Sequence, residues 1–209
     1  MSAARGDRPD LPRIPPGQTV AQNWPVLHYG EVPAGTRPWR VRLFGAVQRE
    51  VYLPLEEIQR LRSADIPADV HCVSGWSLLD NAWTGAPFTA VEAMARPLPS
   101  ARFLMAHAAG GWSTNIPLTD CRRPDVALVW ARNGVPLPAV HGGPLRLLVP
   151  HLYLWKSCKW LVALEWMIQD RPGFWEKDSK YTNLDPWAAV RGREKQTGAP
   201  AQGPDDRPA

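Results

Sequence analysis

The stretch His141-Gly142-Gly143-Pro144-Leu145-Arg146-Leu147-Leu148-Val149, continued by Trp155-Lys156-Ser157-Cys158-Lys159-Trp160, decides how this chain is read. Two glycines and a proline force a tight turn. The apolar-rich run 145–149 that follows is too short for a helix and reads as a strand. The turn brings backbone donors and the permanently charged guanidinium of Arg146 to one side. Lys156 and Lys159 add point charges there, a set suited to a phosphate. The residues alone leave a second reading open, a proline turn entering a strand with solvated lysines beyond it.

Outward from this run the same punctuation recurs. The 209 residues contain 23 prolines and 16 glycines, which exclude long helices, while short apolar stretches fall between the breaks. Strands are expected at 41–47, 69–73, 102–107, 126–131, 145–149 and 160–166. A short helix is expected at 55–61, with Leu55, Ile58 and Leu61 on one face, and another at 88–95. The product is an α+β domain over residues 21–190, with mixed β-sheets, short helices and long loops. A 44% apolar content with 11 Trp is enough for a substantial core. Residues 1–20 and 191–209, rich in Pro, Gly, Arg, Asp and Gln, cannot repay the entropy of ordering and are expected to be disordered tails.

Bulk properties remove several classes of function. No apolar run approaches the roughly 18 residues of a membrane span, and Met1 to Thr19 has no hydrophobic signal core, so a cytoplasmic protein with no membrane partner is expected. A net charge of +4, with basic residues scattered among acids, gives no stripe for nucleic acid. Cys72, Cys121 and Cys158 cannot all pair and match no zinc spacing. No P-loop, dinucleotide fingerprint or nucleophile elbow is present.

The second informative segment is His71-Cys72-Val73-Ser74-Gly75-Trp76-Ser77. Cys72 lies where a strand gives way to a loop, so the strand fixes its position while the loop leaves its sulfur accessible. A buried cysteine serving as a small hydrophobe is the alternative. A single thiolate beside a phosphate cradle suggests a metal delivered by a phosphate-bearing organic cofactor, because a metal held by protein alone requires three or four side-chain ligands. His28 and Tyr29, with Trp24 nearby, offer polar aromatic groups in an irregular arm whose alternative role is packing.

Together these segments resemble the molybdopterin-binding domain of the sulfite oxidase family, in particular its short soluble bacterial members. The matching stretches are Val26-Leu27-His28-Tyr29-Gly30, His71 to Ser77 with Trp83-Thr84-Gly85, Gly111-Trp112-Ser113-Thr114-Asn115-Ile116-Pro117-Leu118, His141 to Trp160, and Pro172-Gly173-Phe174-Trp175-Glu176. They run in the family's order and cover about residues 24 to 187. The resemblance implies molybdenum and molybdopterin as cofactors, with Cys72 as the protein's metal ligand. It implies that His141, Arg146 and Ser157-Cys158-Lys159 hold the pterin and its phosphate, Cys158 through its backbone, and that His28 and Tyr29 contribute from the arm. The activity it implies is oxygen-atom transfer, or related two-electron chemistry, on a small-molecule substrate with a separate electron donor or acceptor.

The chain departs from the family pattern at three positions. Leu27 stands where sulfite oxidases carry arginine, Ala108 where sulfoxide reductases of the family offer threonine, and Trp112 where many members present tyrosine. Trp112 is therefore a candidate catalytic residue of altered character, since an indole N–H donates a hydrogen bond but does not ionise usefully. These departures argue against sulfite as the substrate. They also leave a non-catalytic, cofactor-presenting module as the competing reading.

Overall fold

In a computed structural model the described residues are 11–33, 38–61, 64–177 and 184–188. They form three sheets, two of them five-stranded, and the first is ordered β3-β2-β13-β8-β9. Its strands are β2 (Arg40–Gly45), β3 (Val51–Pro54), β8 (Phe103–Ala108), β9 (Ser113–Pro117) and β13 (Leu161–Met167). Its pairings are antiparallel except for β13 with β2, which run parallel. Alternation places Val41 and Leu43 of β2 fully inside, as the period of two in a half-buried strand requires.

The second sheet, β11-β10-β7-β4, contains β4 (Ala64–Pro67), β7 (Ala82–Pro87), β10 (Ala127–Arg132) and β11 (Val135–Pro136). Strand β12 (Arg146–Leu148) also pairs with β10. Ala127, Leu128 and Val129 are consecutively buried, so β10 is covered on both faces, which is why its sequence is an apolar run rather than an alternation. Gly85 of β7 crosses where any Cβ would collide with the Leu128 carbonyl, and this close approach requires glycine. The third sheet is small, β1-β6-β5, with β1 (Thr19–Val20), β5 (Val70–Cys72) and β6 (Trp76–Leu78).

Three short helices, α1 (Leu55–Arg60), α2 (Phe88–Ala95) and α3 (Leu118–Cys121), each begin directly after a proline that ends a strand: Pro54, Pro87 and Pro117. Proline fixes φ in the extended arm of the turn and adds no donor to the unpaired first turn of the helix. One core cluster joins the first sheet to α1, α2, β10 and β12 around Leu43, Ile58, Phe88, Leu104, Leu164 and Trp166. Each such buried side chain contributes about 1.5–3 kcal/mol relative to exposure. A second cluster, around Val70, Trp83, Val129 and Leu148, is packed against by Trp24 and Trp76.

The expected strands and the helix at 88–95 are present, and the helix at 55–61 ends one residue early. The strands β1, β3, β4, β6, β7, β9 and β11 were not anticipated, because they are short and Pro, Gly, Ser and Trp interrupt their apolar alternation. Residues 11–20, expected in the disordered amino-terminal tail, instead pack onto the third sheet. Arg13 donates to both carboxylate oxygens of buried Asp69 at 2.6 and 2.8 Å, and β1 runs parallel to β6. Tail residues 1–10 and 191–209 lie outside the described residues. Among the described residues no helix is long and apolar enough to cross a membrane.

Lys156, expected to add charge to the phosphate cradle, points elsewhere. Its ammonium is buried in an ion pair with Glu176 and also donates to the Asn115 carbonyl at 2.6 Å. Breaking a buried pair by removing one partner strands the other charge. Glu176→Ala is therefore expected to destabilise the fold by about 3–5 kcal/mol, while Arg42→Ala, at an exposed pair with Glu50, leaves stability unchanged. Denaturant unfolding of both variants checks this contrast.

Candidate functional site

Strand β5 ends at Cys72, and the chain reverses at once into β6, so that Cys72 faces Trp76 across the hairpin. The turn is closed by the Gly75 N–H donating to the Cys72 carbonyl at 3.0 Å, with Gly75 in the left-handed region at φ 92°. The Ser74 hydroxyl donates to Cys72 Sγ at 3.1 Å. Burial pushes the Cys72 thiol up, while the Ser74 hydrogen bond and the positive charge of Lys159 oppose that shift. A bound cation supplies the remaining drive to deprotonate such a thiol. Among the described residues no group of three or more His, Cys, Asp or Glu is arranged to hold a metal. The protein thus offers one soft donor, not a cage.

The cradle is built where the Gly-Gly-Pro turn ahead of β12 packs on the Lys159 segment ahead of β13. Residues Ala139–His141 make a 3-10 turn, closed by Gly142 in the left-handed region at φ 98°. A Cβ on Gly142 would lie 2.9 Å from Lys159 Cβ, and one on Gly143 would strike the Leu137 carbonyl. The two glycines let the His141 turn lie directly against the Lys159 segment, and Trp160 N–H donates to the Gly142 carbonyl at 3.2 Å. Lys159 Nζ donates to the carbonyls of Leu27 at 2.7 Å and Val140 at 2.9 Å, which leaves one ammonium proton for a ligand. Burial first, and then the Arg146 charge, lower its pKa to about 7, with Cys72 acting in the opposite sense.

His141 stacks on Trp24, ring centroids 4.0 Å apart and planes 4° from parallel. Burial lowers the His141 pKa to about 4, and the charges of Lys159, Arg146 and Arg132 add to that shift, so the ring is neutral at pH 7. The guanidinium carbons of Arg132 and Arg146 lie 5.1 and 5.6 Å from the Trp24 ring. Two guanidinium groups and one neutral imidazole thus converge around one indole, a positive field suited to an anion. Three buried polar atoms here have no partner among the described groups: Trp76 Nε1, His141 Nδ1 and Arg146 Nε. Orphaned donors of this kind, a spare Lys159 proton and a glycine-lined turn fit a phosphate-bearing organic group.

The predicted site residues divide into those that face this region and those that brace it. Arg146 is fully buried and donates to the His141 carbonyl at 2.9 Å and the Ser157 carbonyl at 2.8 Å. Ser157 Oγ accepts from the Val149 N–H at 2.9 Å. The Cys158 thiol is buried and pushed well up by desolvation, while its carbonyl accepts from Leu147 N–H at 2.9 Å. His28 and Tyr29 stand on the exposed rim. His28 meets Trp160 edge-on at 5.8 Å, and Tyr29 packs on Phe174 at 4.7 Å. Trp112 lies in the turn between β8 and β9, where the neighbouring Ala109 N–H donates to the Trp160 carbonyl at 2.9 Å. The β8–β9 turn therefore abuts the same Trp160 as His28.

Sequence reasoning missed Arg132 and the stacking role of Trp24. The available signal for Arg132 was a charge ending an apolar strand just before Asn133-Gly134. Trp24 gave none, since nothing local marks an indole that will stack on a distant imidazole.

Residues 29–175 match the family profile of the oxidoreductase molybdopterin binding domain. The chain is 39% identical over 181 residues to the uncharacterized oxidoreductase YuiH of Bacillus subtilis (strain 168), covering 86% of this chain and 91% of that protein. It is 24% identical over 177 residues to the protein-methionine-sulfoxide reductase catalytic subunit MsrP of Ralstonia nicotianae, covering 73% of this chain and 53% of that one. The chain thus spans about half the length of that sulfoxide reductase relative. The sulfane dehydrogenase SoxCD from Paracoccus pantotrophus shares the fold, with a TM-score of 0.63 at 20% identity over 68% of this chain and 41% of that chain. With a matched family domain over most of its length and a thiol set beside an anion cradle, the chain belongs to the sulfite oxidase-like molybdopterin-binding oxidoreductases, enzymes that carry molybdenum on molybdopterin.

Proposed function

We propose that this enzyme carries out oxygen-atom transfer, or closely related two-electron chemistry, on a small molecule at a single molybdenum bound by Cys72 and molybdopterin. The observation that carries this reading is the position of one half-buried thiol, on a turn fixed by two strands, near Lys159 at the edge of the anion cradle. When bound, the cofactor supplies a metal that cycles between oxidation levels two electrons apart. Returning it to its starting level requires a separate electron donor or acceptor.

Each residue has a distinct task in this scheme. Cys72 binds as thiolate, with the Ser74 hydroxyl oriented on its sulfur. Lys159 and neutral His141 receive the phosphate-bearing end of the pterin. Arg146 and Ser157 hold the loop carbonyls and amides that shape the cradle, Cys158 joins through its backbone, and His28 and Tyr29 close the rim. Trp112 can orient a substrate oxygen through its indole N–H but cannot shuttle a proton. Leu27 places no cation beside the site, which supports a substrate less charged than sulfite. The names of MsrP and SoxCD point to sulfur-centred substrates, so sulfoxides and sulfanes are the first compounds to screen.

Two outcomes are expected. Cys72→Ser, produced in a host that makes the cofactor, should retain pterin but lose turnover by on the order of 100-fold or more, as loss of a metal ligand exceeds the 10–100-fold typical of its supporting groups. Turnover unchanged from wild type overturns the assignment. Lys159→Met removes a charge-assisted hydrogen bond worth about 1.5–3 kcal/mol and should weaken pterin retention about 10–100-fold, read from the pterin content of dialysed protein.

A further inference from the structure

Gln18 lies upstream of the matched family segment, which begins at residue 29, yet its side chain ends against the backbone of Cys72. Its Nε2 donates to the Cys72 carbonyl at 2.8 Å, and its Oε1 accepts from the Ser77 hydroxyl at 2.7 Å. A carbonyl can only accept, so the amide orientation is fixed, and Ser77 must be the donor to Oε1. The Ser77 oxygen is then left to accept from His71 Nδ1, 2.8 Å away, which sets the histidine tautomer. One polar relay thus runs from His71 through Ser77 and Gln18 to the Cys72 carbonyl, with every donor direction determined.

Gln18 is itself held firmly. The Thr19 N–H donates to the Gly75 carbonyl at 2.9 Å and the Ala21 N–H to the Ser77 carbonyl at 2.8 Å, which registers the segment on β6. Upstream, Arg13 binds Asp69 and Asp80, and Trp187 Nε1 donates to the Pro12 carbonyl at 2.8 Å. The Cys72 carbonyl therefore receives two donors, Gly75 N–H from within the turn and Gln18 from outside it. Those two bonds hold the Cys72–Val73 peptide plane against the hairpin, and so restrain the backbone torsion of Cys72 that helps aim its Cα–Cβ bond.

We propose that Gln18 is a positioning residue for the molybdenum centre, acting through the Cys72 carbonyl to hold the thiolate in its bonding direction. The inference rests on Cys72 being the metal ligand. Metal–sulfur distances tolerate only about 0.2 Å, and partners that orient a ligand typically account for 10–100-fold in affinity or activity. Gln18 meets the description of such a partner, because it bridges the ligand residue and the opposite strand of its hairpin.

The test uses holoenzyme made from the full chain in a cofactor-competent host. Gln18→Glu keeps size and the acceptor for Ser77 but loses the donor, and Gln18→Met loses both polar ends without adding charge. Molybdenum per chain, melting temperature, kcat, KM and the thiolate-to-molybdenum charge-transfer absorption are compared with wild type and Cys72→Ser. Both Gln18 variants are expected to bind molybdenum, to show a shifted charge-transfer band, and to lose kcat about 10–100-fold with KM little changed. A folded Gln18→Met with the wild-type band and kcat overturns the proposal, even where Gln18→Glu does not fold. If Cys72→Ser loses the band while both Gln18 variants keep it in place, only the role of Gln18 falls. A band that persists in Cys72→Ser overturns the ligand assignment and this proposal with it.

Discussion

The site depends on a buried cation. Arg146 is fully enclosed, its Nη donors hold the carbonyls of His141 and Ser157, and among the described residues no carboxylate is paired with it. Burial lowers its pKa to about 10, a shift that corresponds to roughly 3 kcal/mol of disfavoured charge. A planar fork suits this task because its two Nη groups diverge in a rigid geometry, each toward a carbonyl on a different loop. The same guanidinium therefore shapes the cradle and leaves it positive. An anion bound there relieves a charge that the fold has already taken out of water.

The sheets convert this local constraint into a site. β12 reaches β10 on one side, while the Gly-Gly-Pro turn leans on Lys159 on the other, just ahead of β13. The cradle thus sits where the second sheet meets the first one. The hairpin of β5 and β6 is a separate small sheet and needs its own fastening. The amino-terminal strand β1, the Arg13–Asp69 pair and the relay through Gln18 supply it. The arm then continues through Trp24 on His141 to the Leu27 carbonyl on Lys159, so one extended segment touches the thiol hairpin and the cradle in turn.

Two groups of buried charge follow different logic. Lys156 is neutralised by Glu176 and tied to Asn115, so it joins β9 to the chain that follows β13 and contributes to folding. Lys159, three residues on, is hydrogen-bonded among the described residues to two carbonyls and pairs there with no carboxylate, so it keeps donor capacity for a ligand. The distinction lies in partners and not in residue type, and it explains why two lysines of one run do opposite work.

How much of this could be read in advance follows from the range of the forces involved. Local patterns determined by themselves the short strands at 41–47, 102–107 and 160–166, the helix at 88–95, the turn at Gly142-Gly143 and the end of a strand at Cys72. These features rest on steric limits and hydrophobic alternation within a few residues. The order of the five matched segments carried the family. Only the tertiary structure decided that Lys156 turns inward, that Arg146 braces loops from within, that Trp24 and Arg132 join the cradle, and that residues 11–20 are ordered. Each of those outcomes depends on a partner distant in the chain, such as Glu176 for Lys156 or Asp69 for Arg13. A hydrogen bond or ion pair between distant segments leaves no periodicity in either one, because its geometry exists only after the sheets have packed.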